Sequence, residues 1–332
     1  MFIGHNSLTC EVAAGSAFAL LARLAVTSRV ASDELPGDVG AALAAVGDTE
    51  GDSWLNLLGV ALDAGPPFTV ERLLAAFESL DGVELRRHLL GRYAWSWCTL
   101  AGIGDIEAAA AGDSAAAARL LAHPRYYAGH ARQSLGTLLS LEPEETHRRI
   151  VTAAEAGSRL LLAPTASAGL EAAASQAATL LATEPALTAI ERIARGYRYV
   201  PELEAERVIL VPHLEPRLSL VLAQHRSARL IAYRVEPDRG SEERLLTLGR
   251  ALADPKRVEI LMLVGRGVAR AADLVDATGL TRSTVHHHLA QLRDAGLVAL
   301  EGNARAYTYV PRAKAVDEAA ALLADIVRTE ED

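Results

Sequence analysis

Arg282, Ser283, Thr284, His286, His287 and Gln291 place six polar side chains within ten residues. Donors and acceptors at that density suit the edges of base pairs in a DNA major groove. The run LTRSTVHHHLAQLRDAGLV (280–298) shows how they would be held. Thr281 can cap a helix, its hydroxyl accepting from a free backbone N–H of the first turn. Val285, Leu289 and Leu292 recur at i, i+4 and i+7, one apolar stripe facing a core. In that phase Ser283, His287 and Ala290 point outward, flanked by Arg282, Thr284, His286 and Gln291, while His288 is a packing residue. Gly296 can take the left-handed conformation that ends a helix. An ordinary amphipathic surface helix would show the same stripe, so the neighbouring elements decide between the two readings.

Those neighbours have the order of a winged helix-turn-helix. Residues 240–254 read as an amphipathic helix with Leu245, Leu248 and Leu252 on one side. Asp254-Pro255 starts another over 256–265, proline being tolerated in a first turn. Residues 271–278 form a short third helix, and Gly279 supplies the turn before 280–298. Downstream, 297–310 reads as two strands around Gly302-Asn303, with Tyr307 and Tyr309 on one face and Arg305 near the tip, placed to touch DNA.

Residues 241–312 resemble the ArsR-type winged-helix regulators. The resemblance is carried by Ala253-Asp254-Pro255-Lys256-Arg257 with Ile260-Leu261, by Ala272-Asp273-Leu274 and Leu280-Thr281, and by Ser283-Thr284-Val285. It continues through His287-His288-Leu289, Leu292-Arg293 and Ala295-Gly296-Leu297-Val298. It implies a sequence-specific regulator of transcription, a repressor, working as a homodimer on palindromic double-stranded DNA. It also implies two places where members hold metal, and neither is supplied here. Where a Cys-x-Cys pair would sit there are Arg270, Ala271 and Ala272, and the last helix (313–329) has Asp317 and Asp325 but no histidine. Cys10 and Cys98 stand far apart, and His286, His287 and His288 splay around a helix. The expected input is therefore not a metal, and no cofactor is expected.

The chain has 332 residues, half of them apolar, long enough for two domains. Its net charge of −9 is unevenly spread: −7 over 1–239, +2 over 240–312 and −4 over 313–332. A mildly basic module on an acidic body should bind nonspecific DNA poorly and depend on base contacts and dimerisation. No run is long enough for a membrane span, no signal sequence opens the chain, and two cysteines suit a reducing compartment, so a cytoplasmic location is expected. Lysine occurs only at 256 and 314, and the arginine excess with the high alanine content reads as genome base composition.

The first two-thirds read as mostly helical, with apolar residues at helical spacing over 18–26, 70–80, 83–100 and 144–163. Further helices are expected at 115–122, 169–182 and 185–200, the last stopping at Pro201. Residues 207–213, 218–224 and 228–235 are short, apolar and β-rich, and predict a small antiparallel sheet. The placement of Val208-Ile209-Leu210-Val211-Pro212 just before the DNA module resembles actinobacterial-type regulators in which an ArsR-like module follows a long helical region. Trp54, Tyr93, Trp95, Trp97, Tyr126 and Tyr127 could line an apolar pocket for an effector, though plain core packing would place the same residues. Gly102-Ile103-Gly104 lacks the further glycine of a dinucleotide motif, and no nucleophile-elbow, P-loop or zincin motif occurs, so an enzyme is not expected. His123, His130 and His147 lack ligand spacing.

The resulting expectation is a mainly α protein with small β elements. Residues 1–239 form a sensor and dimerisation body ending in the sheet at 207–235, 240–312 form the winged helix, and 313–332 form a dimerisation helix and acidic tail. Two alternatives are a ligand-free architectural DNA binder and a catalytic body carrying an accessory winged helix.

Overall fold

The computed structural model describes residues 8–159, 164–235, 240–303, 306–312 and 314–328. Its strands are β1 (Thr9–Val12), β2 (Tyr197–Tyr199), β3 (Arg207–His213), β4 (Leu220–His225), β5 (Ala228–Arg234), β6 (Val298–Gly302) and β7 (Tyr307–Pro311). The chain forms two compact units, one from residues 1–179 and 204–235, the other from 180–203 and 236–332. Residues 180–203 cluster with 236–332, which hold the winged helix, and the rest of the chain up to 235 forms the other unit. No described helix is long and apolar enough to cross a membrane.

The first unit packs helices over one face of a sheet. Phe18, Leu21, Leu24, Trp54, Leu57, Leu73, Phe77 and Leu85 are buried with Ile209, Val211, Leu230 and Ala232 of the strands. The helix expected over 83–100 is two, Gly82–Leu89 and Trp95–Ala101. Gly91 between them has φ +69°, and a Cβ there would lie 2.5 Å from the Trp97 ring.

The sheet has the order β1-β3-β5-β4 and is mixed, where an antiparallel one was expected. Only β4 and β5 are antiparallel, joined by a tight turn at Arg226-Ser227, whereas β1 and β5 both run parallel to β3. The stretch from Leu214 to Ser219 carries the chain past β5 to the far edge, so consecutive strands are not all neighbours. β1 ends opposite Leu210. Pro212 thus lies where β3 has a strand on one side only, which its missing N–H tolerates.

The second unit holds the helices Ser241–Leu252, Pro255–Gly265, Ala271–Thr278, Arg282–Asp294 and Ala315–Arg328. They surround a core of Ile260, Val264, Leu274, Val285, Leu289 and Leu292. The helix expected over 185–200 ends at Ile193. Arg195 and Gly196 follow with positive φ, and Tyr197–Tyr199 becomes a strand beside β6, in a sheet ordered β2-β6-β7. The physical reason is a change of period: Tyr197 and Tyr199 are buried and Arg198 is not, an alternation that only a strand provides.

Candidate nucleic-acid interface

Gly279, left-handed at φ +67°, turns the chain from Ala271–Thr278 into the helix Arg282–Asp294. Thr281 caps that helix in an extended conformation, and its Oγ1 accepts from the Thr284 N–H at 3.3 Å. The same hydroxyl lies 3.0 Å from Ser283 Oγ and 2.8 Å from Thr284 Oγ1. The cap satisfies one of the orphan donors of the first turn and fixes the angular phase of everything after it.

That phase buries Val285, His288, Leu289 and Leu292. Arg282, Ser283, His287 and Ala290 are exposed, with Thr284, His286 and Gln291 half-buried on the two flanks. Burial and the nearby Arg282 guanidinium hold the His286 imidazole below its ordinary pKa. Burial does the same for His288, whose Nδ1 is enclosed without a partner.

Gln291 is more constrained than its sequence position suggests. Its Oε1 accepts from Arg257 Nη1, and its Nε2 lies 2.9 Å from His287 Nε2. Arg257 is fixed in turn by the carbonyls of Ala251 and Arg250 at 2.9 and 2.7 Å and by the Asp254 carboxylate at 3.4 Å. A relay of Asp254, Arg257 and Gln291 thus holds the His287 ring. The sequence showed Arg257 only as part of a family-like run, since its partner lies 34 residues away. Arg305 falls outside the described residues, although the flanking strands β6 and β7 are paired in register from Val298–Pro311 to Gly302–Tyr307.

The aromatic residues expected around a pocket are not brought to one place. Trp97, Tyr126 and Tyr127 pack against one another, with ring centroids 5.1 to 5.5 Å apart. The two tyrosine hydroxyls are spent on the carbonyls of Leu90 and Leu89. Trp54 is fully buried and donates to Ser28 Oγ at 3.0 Å. Trp95 is 40 % exposed. Tyr93 lies apart from the cluster, 4.7 Å from the His88 ring and under the Arg226 guanidinium. Ring packing of this kind is typical of a core.

A cavity of about 380 Å³ lies elsewhere in the first unit, with Leu62, Pro66 and Phe68 as apolar wall and Glu11, Asp63, Arg207 and Arg226 as charged lining. His225 Nε2 is 2.8 Å from Asp63 Oδ1, and Arg226 Nη2 is 3.1 Å from Oδ2. Despite the desolvation that opposes it, those two donors lower the Asp63 pKa to about 2. Sequence reasoning missed this site because its parts come from a helix, a hairpin turn and two strand ends far apart in the chain. Among the described residues no three His, Cys, Asp or Glu side chains gather in a way that could hold a metal ion.

Residues 254–299 match the pattern of the bacterial regulatory proteins of the arsR family. The regulator YgaV of Escherichia coli is 36% identical over 87 residues, 26% of this chain and 88% of YgaV. The chain belongs to the ArsR family. The regulator CmtR of Mycobacterium tuberculosis is 46% identical over 68 residues, 20% of this chain and 58% of CmtR, so the match spans little more than half of that relative. The arsenical resistance operon repressor of Staphylococcus xylosus is 35% identical over 69 residues, 21% of this chain. No solved structure matches. The ArsR pattern takes in the helix Arg282–Asp294, the relay residues Asp254, Arg257 and Gln291, and the start of β6. It excludes the first unit and β2.

Proposed function

We propose that this chain is a homodimeric, sequence-specific DNA-binding regulator of transcription, a repressor whose input is a non-metal ligand read by the first unit. The observation that carries this reading is the capped helix Arg282–Asp294, which presents Arg282, Ser283 and His287 on an exposed face inside an ArsR module. In this reading the half-buried Thr284, His286 and Gln291 line its edges, and Arg305 touches phosphate from the wing. Selection of bound duplexes from a random pool tests it. A palindrome with half-sites about 34 Å apart should be enriched, and a pool that stays random would reject the reading.

Dimerisation is proposed through the helix pair Ser241–Leu252 and Ala315–Arg328, which pack on each other. Leu246, Leu252 and Leu323 are 50, 43 and 50 % exposed on that pair. Ala320 and Leu323 continue the apolar stripe of the last helix, while the side chains of Val316, Ile326 and Val327 fall outside those described. Burying one leucine contributes about 1.5–3 kcal/mol, and two-fold symmetry counts it twice. Leu323→Glu should therefore give a monomer by light scattering and weaken binding to the selected palindrome. A dimer that binds normally would put the interface elsewhere.

The input is proposed to enter at the 380 Å³ cavity, a volume within the usual range of ligand pockets. Arg207 and Arg226 each have N–H groups beyond those given to Glu11 and Asp63. Two guanidinium forks beside an apolar wall suit a small carboxylic acid with a hydrocarbon body. In a thermal-shift series, benzoate-sized to octanoate-sized acids should raise the melting temperature of the full chain, and Arg226→Ala should remove the effect. Equal shifts in wild type and variant would move the site elsewhere.

A further inference from the structure

We propose that residues 194–203 are a strap that positions the wing, with Tyr197 and Arg198 as its positioning residues. The proposal rests on the regulator reading above.

The strap grips the wing through its backbone. β2 runs parallel to β6 with Tyr197, Arg198 and Tyr199 opposite Leu300, Glu301 and Gly302. The Leu300 N–H donates to Gly196 O at 2.7 Å, and the Val200 N–H donates to Gly302 O at 2.9 Å. Side chains extend the grip to the wing tip. The Tyr197 hydroxyl donates to Gly302 O at 3.0 Å, and Asn303 Nδ2 donates to Val200 O at 3.2 Å. Arg198 Nη1 reaches Glu301 Oε2 at 2.7 Å, and Nη2 reaches Glu191 Oε1 at 3.4 Å. Tyr197 and Tyr199 are 1 and 4 % exposed, so the strand is packed as well as paired.

A hairpin of two strands is marginal by itself, and a third strand gives it the pairing and packed face that fix its orientation. Here that third strand comes from outside the ArsR pattern at 254–299. It also has a particular place in the chain. In sequence, residues 180–203 lie between the two stretches of the first unit, 1–179 and 204–235, yet they cluster with the second unit. Through the Gly302 and Asn303 contacts β2 bears on the tip of the wing.

The test uses the full chain with Tyr197→Phe, Arg198→Glu, and Arg198→Glu combined with Glu301→Arg. Arg198→Glu sets three carboxylates together, the double variant restores an opposite-charge pair at unchanged net charge, and Tyr197→Phe removes one hydrogen bond without touching charge. Amide exchange at Val200 and Leu300 reads the strap in the absence of DNA, and the salt dependence of binding to the selected palindrome reads the wing. Arg198→Glu should speed exchange roughly tenfold and lower the log–log salt slope by about one unit, the effect of one lost phosphate contact. The double variant should recover both, and Tyr197→Phe should move both in the same direction by less. Unchanged exchange, or faster exchange with an unchanged slope in Arg198→Glu and Tyr197→Phe alike, would overturn the proposal. Failure of the wild-type protein to select any duplex falls on the regulator reading instead, and shows before any variant is made.

Discussion

Arg86→Ala lowers the stability of the first unit by about 3–5 kcal/mol, because one buried guanidinium holds three acceptors. Arg86 is 1 % exposed on the helix Gly82–Leu89. Its Nε and Nη2 donate to Thr146 Oγ1 at 3.0 and 2.8 Å, and Nη2 also reaches the carbonyls of Leu138, at 2.9 Å, and Leu141. Leu138 lies in the last turn of the helix Ala131–Leu139, which has no basic residue of its own there. Arg86 therefore supplies from another helix both the donor and the positive charge that a helix C-terminus favours. Burial lowers its pKa, but an arginine stays charged in proteins. Truncation takes a donor from the Leu141 carbonyl and from Thr146 Oγ1, leaves Leu138 O to the Thr146 hydroxyl alone at 2.8 Å, and opens a cavity. Arg86→Met refills most of the volume without a donor, so it should recover only the packing part of the loss. Trp54, Trp95 and Trp97, all the tryptophans of the chain, lie in this unit, so their fluorescence in urea reads its unfolding directly. A loss under about 1 kcal/mol in Arg86→Ala would mean that water replaces the guanidinium.

Arg86 also shows where sequence reading stops. In Arg86-Arg87-His88 nothing in the spacing separates the buried arginine from its neighbour, which pairs with Glu84 and Glu107 at the surface. What distinguishes Arg86 is a set of backbone carbonyls more than 50 residues away, and carbonyls carry no sequence signal. The helix Arg282–Asp294 was legible for the opposite reason. Its cap, its apolar stripe and its stop are all local, so Thr281, Val285, Leu289 and Leu292 specify its start and phase without help from the rest of the fold. The strands fall between these cases. β4 and β5 share a short turn, and their pairing could be read, whereas β1 and β2 find their partners about 200 and 100 residues later in the chain. Tyr197-Arg198-Tyr199 follows a helical pattern and precedes Pro201, so it looked like a helix end until β6 gave it a partner.

The second large effect concerns the exposed face of Arg282–Asp294. Arg282→Ala and His287→Ala should each weaken binding to the selected palindrome by about 1–3 kcal/mol, the usual value of a lost base contact, and each should relax preference at one base pair. The two positions differ in how they are held. Arg282 stands at the first helical residue, where it is free to reach a guanine edge with both arms of its fork. His287 is oriented through Gln291, whose Oε1 is held by Arg257. Gln291→Ala should then cost affinity at the same base pair as His287→Ala, and the double variant should lose less than the sum of the two, since both remove one oriented contact. His288→Ala is the contrasting case: the ring is buried on the opposite face, so its loss should lower stability and leave base preference unchanged. Additive losses at His287 and Gln291, or wild-type affinity in both Arg282→Ala and His287→Ala, would show that DNA meets another face of this module.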